Sequence, residues 1–162
     1  MIVGMEVPID AIRQLMIQNR RAAAGRTYTV PSPESYPYQW FWDSCFHTII
    51  LSYFDREAAE EELLSLLSAQ YDNGMIAHVM YWERLDVLNV EWLNEATSDL
   101  IQPPIIADAV EQLYVRFGNR AFLDHVYPHL RRYYDFLLEY RDARAVDLIG
   151  YVNPDESGED NS

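Results

Sequence analysis

Apolar side chains recur at three- and four-residue intervals along most of this chain, and a proline or glycine stands near most of the breaks. That period belongs to amphipathic helices and excludes an ordinary sheet protein. Behind Pro8, which suits a first helical position, Ile9, Ile12, Leu15 and Met16 share one face; Gly25 is a plausible stop. Phe46, Ile49, Ile50 and Tyr53 make a second stripe, with Asp43 or Ser44 as its cap. Asp55 opens a third helix that turns Ala59, Leu63, Leu66 and Leu67 inward and Glu57, Glu60 and Glu61 to water. Ile106, Val110, Leu113 and Phe117 mark a fourth, with Pro104 at its first position and Gly118 at its end. A short helix over Asn119–Val126 precedes one begun by Pro128, whose inner face carries Leu130, Tyr133, Tyr134, Leu137 and Leu138. Five or six helices predict an all-α chain that forms, over residues 1–162, a single domain or a piece of one.

The unusual chemistry falls between the helices. Tyr28 to Pro37 carries three prolines and reads as extended loop, and Gln70 to Ser98 as a long irregular connection with a turn at Asn73-Gly74. Connections of that length inside a compact domain are often functional. Tyr36, Tyr38, Trp40 and Trp42 crowd into one proline-punctuated segment. Such rings stack on the C–H faces of a sugar, while Gln39, Asp43 and Gln102 offer polar groups to read its hydroxyls. Any one of these rings is better explained as core. The cluster is not, because a proline-rich loop is an odd place to build one.

Charge narrows the ligand. With 12 basic and 26 acidic residues the formal charge is -14, which opposes a nucleic acid or an anionic membrane and is compatible with a neutral sugar. One cysteine, Cys45, excludes an internal disulfide. The first residues lack the basic and apolar regions of a signal peptide, and no apolar run approaches the roughly 20 residues of a membrane helix. A soluble, cytoplasmic protein is expected. His125 and His129 have the spacing of two metal ligands, but Pro128 interrupts the turn and no glutamate follows His125. No phosphate loop, dinucleotide fingerprint or nucleophile elbow occurs, so neither metal nor cofactor is expected.

The last ten residues hold four carboxylates and no hydrocarbon side chain other than Pro154. Composition alone fits a disordered acidic tail. The order of residues suggests more: Glu156-Ser157-Gly158-Glu159-Asp160-Asn161-Ser162 resembles the Glu-Ser-Gly-x-Asp-Asn-Ser signature of glycoside hydrolase family 63 and its mannosylglycerate hydrolase-like relatives. Gln39-Trp40-Phe41-Trp42-Asp43 is similar to that group's Gln-Trp-Leu-Trp-Asp segment. Asn73-Gly74-Met75-Ile76-Ala77-His78, with Tyr81-Trp82 after it, resembles its Asn-Gly-Met-x-x-His…Tyr-Trp stretch, and Ser98 to Pro104 its Ser-x-x-x-Gln-Pro-Pro element. The four segments cover residues 36–162 in the family's order.

The resemblance implies the N-terminal half of an (α/α)6 toroid and hydrolysis of an α-mannosyl or α-glucosyl bond with inversion. It makes Asp160 the general acid and gives Glu159 no role. Tyr36, Trp40, Trp42, Asp43 and Gln102 would line the subsite of the non-reducing sugar, with Gly158 beside it; Gln39, Phe41, His78 and Tyr81 join them as candidates from the same motifs. The family's base is a later glutamate that nothing here matches, and Glu91 and Glu95 are weak loop substitutes. The 162 residues alone are therefore expected to be inactive. Their uncovered half-ring is expected to leave them poorly soluble, self-associated or part of a longer product. Two rivals stand beside this reading. One is a sugar epimerase or lyase, which would rely on histidines; the other is a non-catalytic helical scaffold binding sugar or protein.

Overall fold

A computed structural model describes residues 8–83, 97–142, 144–146 and 148–158. Among the described residues five α-helices dominate: α1 (Ile9–Asn19), α2 (Phe41–Leu51), α3 (Arg56–Leu67), α4 (Ile106–Phe117) and α5 (Arg120–Tyr140). Four short strands join them, so the chain is helix-rich rather than all-α. Strands β1 (Arg20–Ala23) and β2 (Arg26–Thr29) form one antiparallel pair, and β3 (Gln39–Trp40) and β4 (Val79–Met80) another.

The third helix follows the sequence expectation, and so does the fourth except at its start, where Ile106 rather than Pro104 takes the first helical position. Asp55 accepts the Ala58 N–H at 2.9 Å and caps α3, whose Ala59, Leu63, Leu66 and Leu67 are all buried. Gly118 ends α4 in the left-handed conformation at φ 61°, and the Asn119 side chain then caps α5 through the Phe122 N–H. Two residues thus suffice to reverse the chain. Ile106, Val110 and Leu113 meet Val126, Tyr133 and Leu137 in a core shared with α2 and α3. Each such side chain contributes about 1.5–3 kcal/mol on burial.

Three expectations are corrected. Helix α1 ends at Asn19 rather than near Gly25, and only Met16 of its expected stripe is buried, while Ile9 and Leu15 are exposed. The chain instead turns through Ala24 and Gly25, both at positive φ, into a hairpin. Arg20 fastens that hairpin to α3 through Glu61 at 2.7 Å, and this tertiary contact overrides the helix propensity of the alanine run. Helix α2 begins at Phe41, two residues before its expected cap, and Phe46 and Tyr53 of its expected inner stripe face outward. Finally, α5 runs unbroken through Pro128. Pro128 and Asp124, the residue whose carbonyl loses its helical partner there, both lie on the exposed face, so water can solvate that carbonyl. Among the described residues no helix is long and apolar enough to cross a membrane.

The turn at Asn73-Gly74 is docked on α5. Gln70 Nε2 donates to the carbonyls of Gly74 and His129, both at 2.9 Å, while Gln70 Oε1 meets His129 Nδ1 at 2.8 Å. His129 is thus engaged in a structural contact with Gln70. Gly74 itself sits at φ 96°, where a Cβ would collide with the Arg132 carbonyl. Gly74→Ala is expected to destabilise the protein by about 2–3 kcal/mol. Denaturant midpoints check it, and an unchanged midpoint would refute the docked turn.

Candidate active site

Three extended segments lie side by side at the start of α2. Gln39 and Trp40 pair with Met80 and Val79, Ser98 N–H donates to the Val79 carbonyl, and His78 N–H donates to that of Leu100. The first N–H groups of a helix have no partner within it. Here the His78 carbonyl accepts from Phe41 N–H at 2.9 Å and Gln102 Oε1 accepts from Trp42 N–H at 3.0 Å. Neither Asp43 nor Ser44 caps the helix. Two distant loops do so instead, and they bring their side chains with them.

The result is a cavity of about 430 Å³ lined by Pro31, Tyr36, Trp40, Trp42, Asp43, His78, Gln102, Asp155 and Gly158. Tyr36 meets Trp40 edge-on at 5.7 Å, and Trp40 meets His78 likewise at 5.2 Å, so the rings hold one another in place. His78 Nδ1 lies 2.5 Å from Ser98 Oγ, and burial pushes its pKa down to about 4. It is a neutral imidazole near pH 7. Asp43 sits in the first turn of α2, where a carboxylate is favoured by the helix dipole, yet burial raises its pKa, against hydrogen bonds that pull the other way. At the cavity edge a 3₁₀ turn over Pro154–Ser157 delivers Gly158, at φ 71°, beneath the Trp42 ring. Any Cβ there would overlap the indole, so only glycine fits.

Seven candidates from the sequence thus line one cavity: Tyr36, Trp40, Trp42, Asp43, His78, Gln102 and Gly158. Three do not. Phe41 is fully buried against Tyr133 in the core, and Tyr81 is buried with its ring edge-on to Tyr38. Gln39 points away because alternation along β3 sends it to the opposite side from Trp40. Asp160, expected as the acid, lies outside the described residues, as do Glu91 and Glu95. Pro31 and Asp155 were not among the candidates; Asp155 directly precedes the Glu-Ser-Gly motif.

Gln39 leads to another residue the sequence did not single out. Its Nε2 donates to Ser44 Oγ at 3.1 Å and its Oε1 accepts from Ser65 Oγ and from the Trp82 indole. Ser44 in turn donates to Glu62 Oε1 at 2.6 Å. Glu62 is fully buried, with Arg20 3.9 Å from its Oε2. Burial pushes its pKa up to about 7, against the Ser44 and Thr29 hydroxyls, Arg20 and Gln39. The signal in the sequence was its spacing: Ala59, Glu62, Leu63 and Leu66 share one helical face, so a glutamate stands in the apolar stripe. This network braces the wall residues Trp40–Asp43 from behind.

The residues quoted above place the chain in a family. Residues 36–162 match the mannosylglycerate hydrolase MGH1-like glycoside hydrolase domain, and the chain belongs to that family. It is 35% identical to a mannosylglycerate hydrolase of Thermus thermophilus over 92% of its own length and 38% of that relative's. A glucosylglycerate hydrolase of Mycolicibacterium hassiacum is 34% identical over 84% and 35% of the two chains. Among solved structures, a family 63 mannosylglycerate hydrolase from Thermus thermophilus in complex with Tris and D-glycerate superposes with a TM-score of 0.86 at 34% identity. That match covers 96% of this chain and 39% of the other. The chain thus spans between a third and two fifths of the length of these relatives.

The Glu62 carboxyl carries a pH dependence with a definite sign. Its native pKa of about 7 lies above its ordinary 4.5, so the folded chain binds the proton more tightly. The stabilisation is complete below the unfolded value and is lost as pH rises from 4.5 to about 7, by an amount on the order of 3 kcal/mol. Glu62→Gln is expected to flatten that slope. Denaturation midpoints at a series of pH values check it; parallel curves for the two proteins would refute the assignment.

Proposed function

We propose that this chain supplies the non-reducing-sugar subsite and the general acid of an inverting α-glycosidase that hydrolyses the α-mannosyl or α-glucosyl bond of a small glycoside of the glycerate class. The carrying observation is the convergence of Trp40, Trp42, Asp43 and Gln102 on one cavity whose edge is Gly158. Indole faces suit the C–H face of a pyranose, and the Asp43 carboxylate and Gln102 amide suit its hydroxyls. Asp160 follows Gly158 by two residues in the sequence, which supports its role as the acid. The helices would form about half of an (α/α)6 toroid, in a cytoplasmic enzyme. The names of the relatives, mannosylglycerate and glucosylglycerate hydrolase, support the substrate class.

In the reaction, Asp160 protonates the leaving oxygen while a second carboxylate takes a proton from water on the opposite face. The C–O bond breaks as water attacks, and the two carboxyls stand roughly 6.5–9.5 Å apart. By the resemblance the base is a glutamate that nothing in this chain matches, and the described lining carboxylates, Asp43 and Asp155, are read as part of the sugar wall and of the acid's own loop.

Incubation of the full-length protein with α-mannosylglycerate and α-glucosylglycerate tests this reading. Proton NMR should show the β-anomer of the free sugar first, and the 162 residues alone should release none. Asp160→Asn should lower kcat about 10²–10⁴-fold with little change in substrate affinity. First appearance of the α-anomer, or wild-type turnover in the variant, would sink it.

A further inference from the structure

Glu156 is the first residue of the Glu-Ser-Gly motif, and it is fully buried rather than part of the cavity lining. Its carboxylate gathers donors from three separate places. Arg141 Nη2, at the end of α5, lies 2.8 Å from Oε1; Ile101 N–H donates to the same oxygen at 3.2 Å; and Val152 N–H donates to Oε2 at 2.8 Å. Arg141 is itself nearly buried, with its guanidinium over the Phe136 ring and its carbonyl accepting the Gly150 N–H at 2.7 Å. Both ends of the segment from Gly150 to Glu156 are therefore tied to Arg141.

Ile101 and Val152 connect this junction to the cavity. Ile101 directly precedes Gln102, whose side chain closes the start of α2 and lines the cavity. Val152 lies just before the turn that carries Asp155 and Gly158 to the cavity edge. One buried carboxylate thus sets the distance between the sugar wall and the loop leading toward the expected acid. Loops rarely hold catalytic groups to the needed accuracy without such support.

We infer that the Arg141–Glu156 pair is a positioning device that holds the Gly150–Gly158 loop in register with the sugar cavity. The inference rests on the glycosidase reading for its effect on turnover, though its geometry stands apart from that reading. The pair touches no substrate. Its contribution is to place the loop so that proton delivery reaches the leaving oxygen.

Glu156→Gln keeps the shape and converts one acceptor into a donor, which must then face either Val152 N–H or the Arg141 and Ile101 donors. In the full-length protein, amide exchange at Ile101 and Val152 should rise about tenfold or more. With mannosylglycerate or glucosylglycerate, whose leaving oxygen needs a proton, kcat should fall about 10²-fold, since misplacement of about 1 Å has that effect. With the matching glycosyl fluoride, which loses fluoride without protonation, kcat should change less than about threefold. Arg141→Lys, which keeps the charge, should show the same split to a smaller degree and serves if Glu156→Gln does not fold. Unchanged exchange at both amides, or equal loss on both substrates, would overturn the proposal. If the wild-type protein hydrolyses none of these substrates, the glycosidase reading fails, and the exchange measurement still decides whether Glu156 holds the loop.

Discussion

The fastening of the first turn of α2 is the constraint on which the cavity depends. A helix start inside a protein needs acceptors, and its own flanking side chains usually provide them. Here they come from the His78 carbonyl and the Gln102 side chain. These residues lie 37 and 60 positions from the N–H groups they satisfy. Losing either would leave a donor without its partner at a cost of about 1–3 kcal/mol. Satisfying the backbone and assembling the cavity are consequently one event. Trp40, Trp42 and Asp43 are carried by the helix start, and His78 and Gln102 arrive because that start requires them.

Two fully buried glutamates stand behind this arrangement, and their surroundings differ. Glu156 has a guanidinium at 2.8 Å and two backbone N–H donors. A buried charge so surrounded is compensated where it stands. Glu62 has hydroxyl and amide donors and a guanidinium only at 3.9 Å, and desolvation pushes its pKa up to about 7. One carboxylate therefore acts as a fixed fastener, while the other changes charge near neutrality behind Gln39 and Ser44. The wall of the cavity is thus braced by a group sensitive to pH and its edge by a compensated ion pair.

Much of the helical framework was legible in the sequence, for identifiable reasons. Helix α3 is capped by Asp55 and α4 is closed by Gly118, and both bury most of their apolar stripes, so local chemistry and tertiary packing agree. Where they disagree, the sequence misled. The alanine run after Asn19 favours helix, but Arg20 draws it into a hairpin on α3. Phe46 and Tyr53 look like core, yet the buried face of α2 carries Ser44, Cys45, His47 and Thr48. Ser44 faces inward toward the Glu62 network, and His47 toward Thr29 of the hairpin. The motif residues were legible as a set through resemblance, whereas the separation of Gln39 and Phe41 from their neighbours Trp40 and Trp42 required the pleat of β3 and the turn of α2. Glu156 stood in the motif all along, but no linear pattern shows that its partner is Arg141.

The polarity of the cavity limits which part of a glycoside it can hold. Its described lining offers two indoles, a neutral imidazole, an amide and the carboxylates of Asp43 and Asp155, with no arginine or lysine among them. A neutral pyranose fits that set, since its hydroxyls donate to carboxylates and its C–H faces pack on rings. A glycerate carboxylate does not. Placed about 4 Å from either aspartate it would be repelled by roughly 4 kcal/mol at an effective dielectric near 20. On the proposed function, an anionic aglycone would therefore point away from this wall. On that reading, electrostatics alone would distinguish the two ends of the glycoside before any specific contact to the aglycone is made.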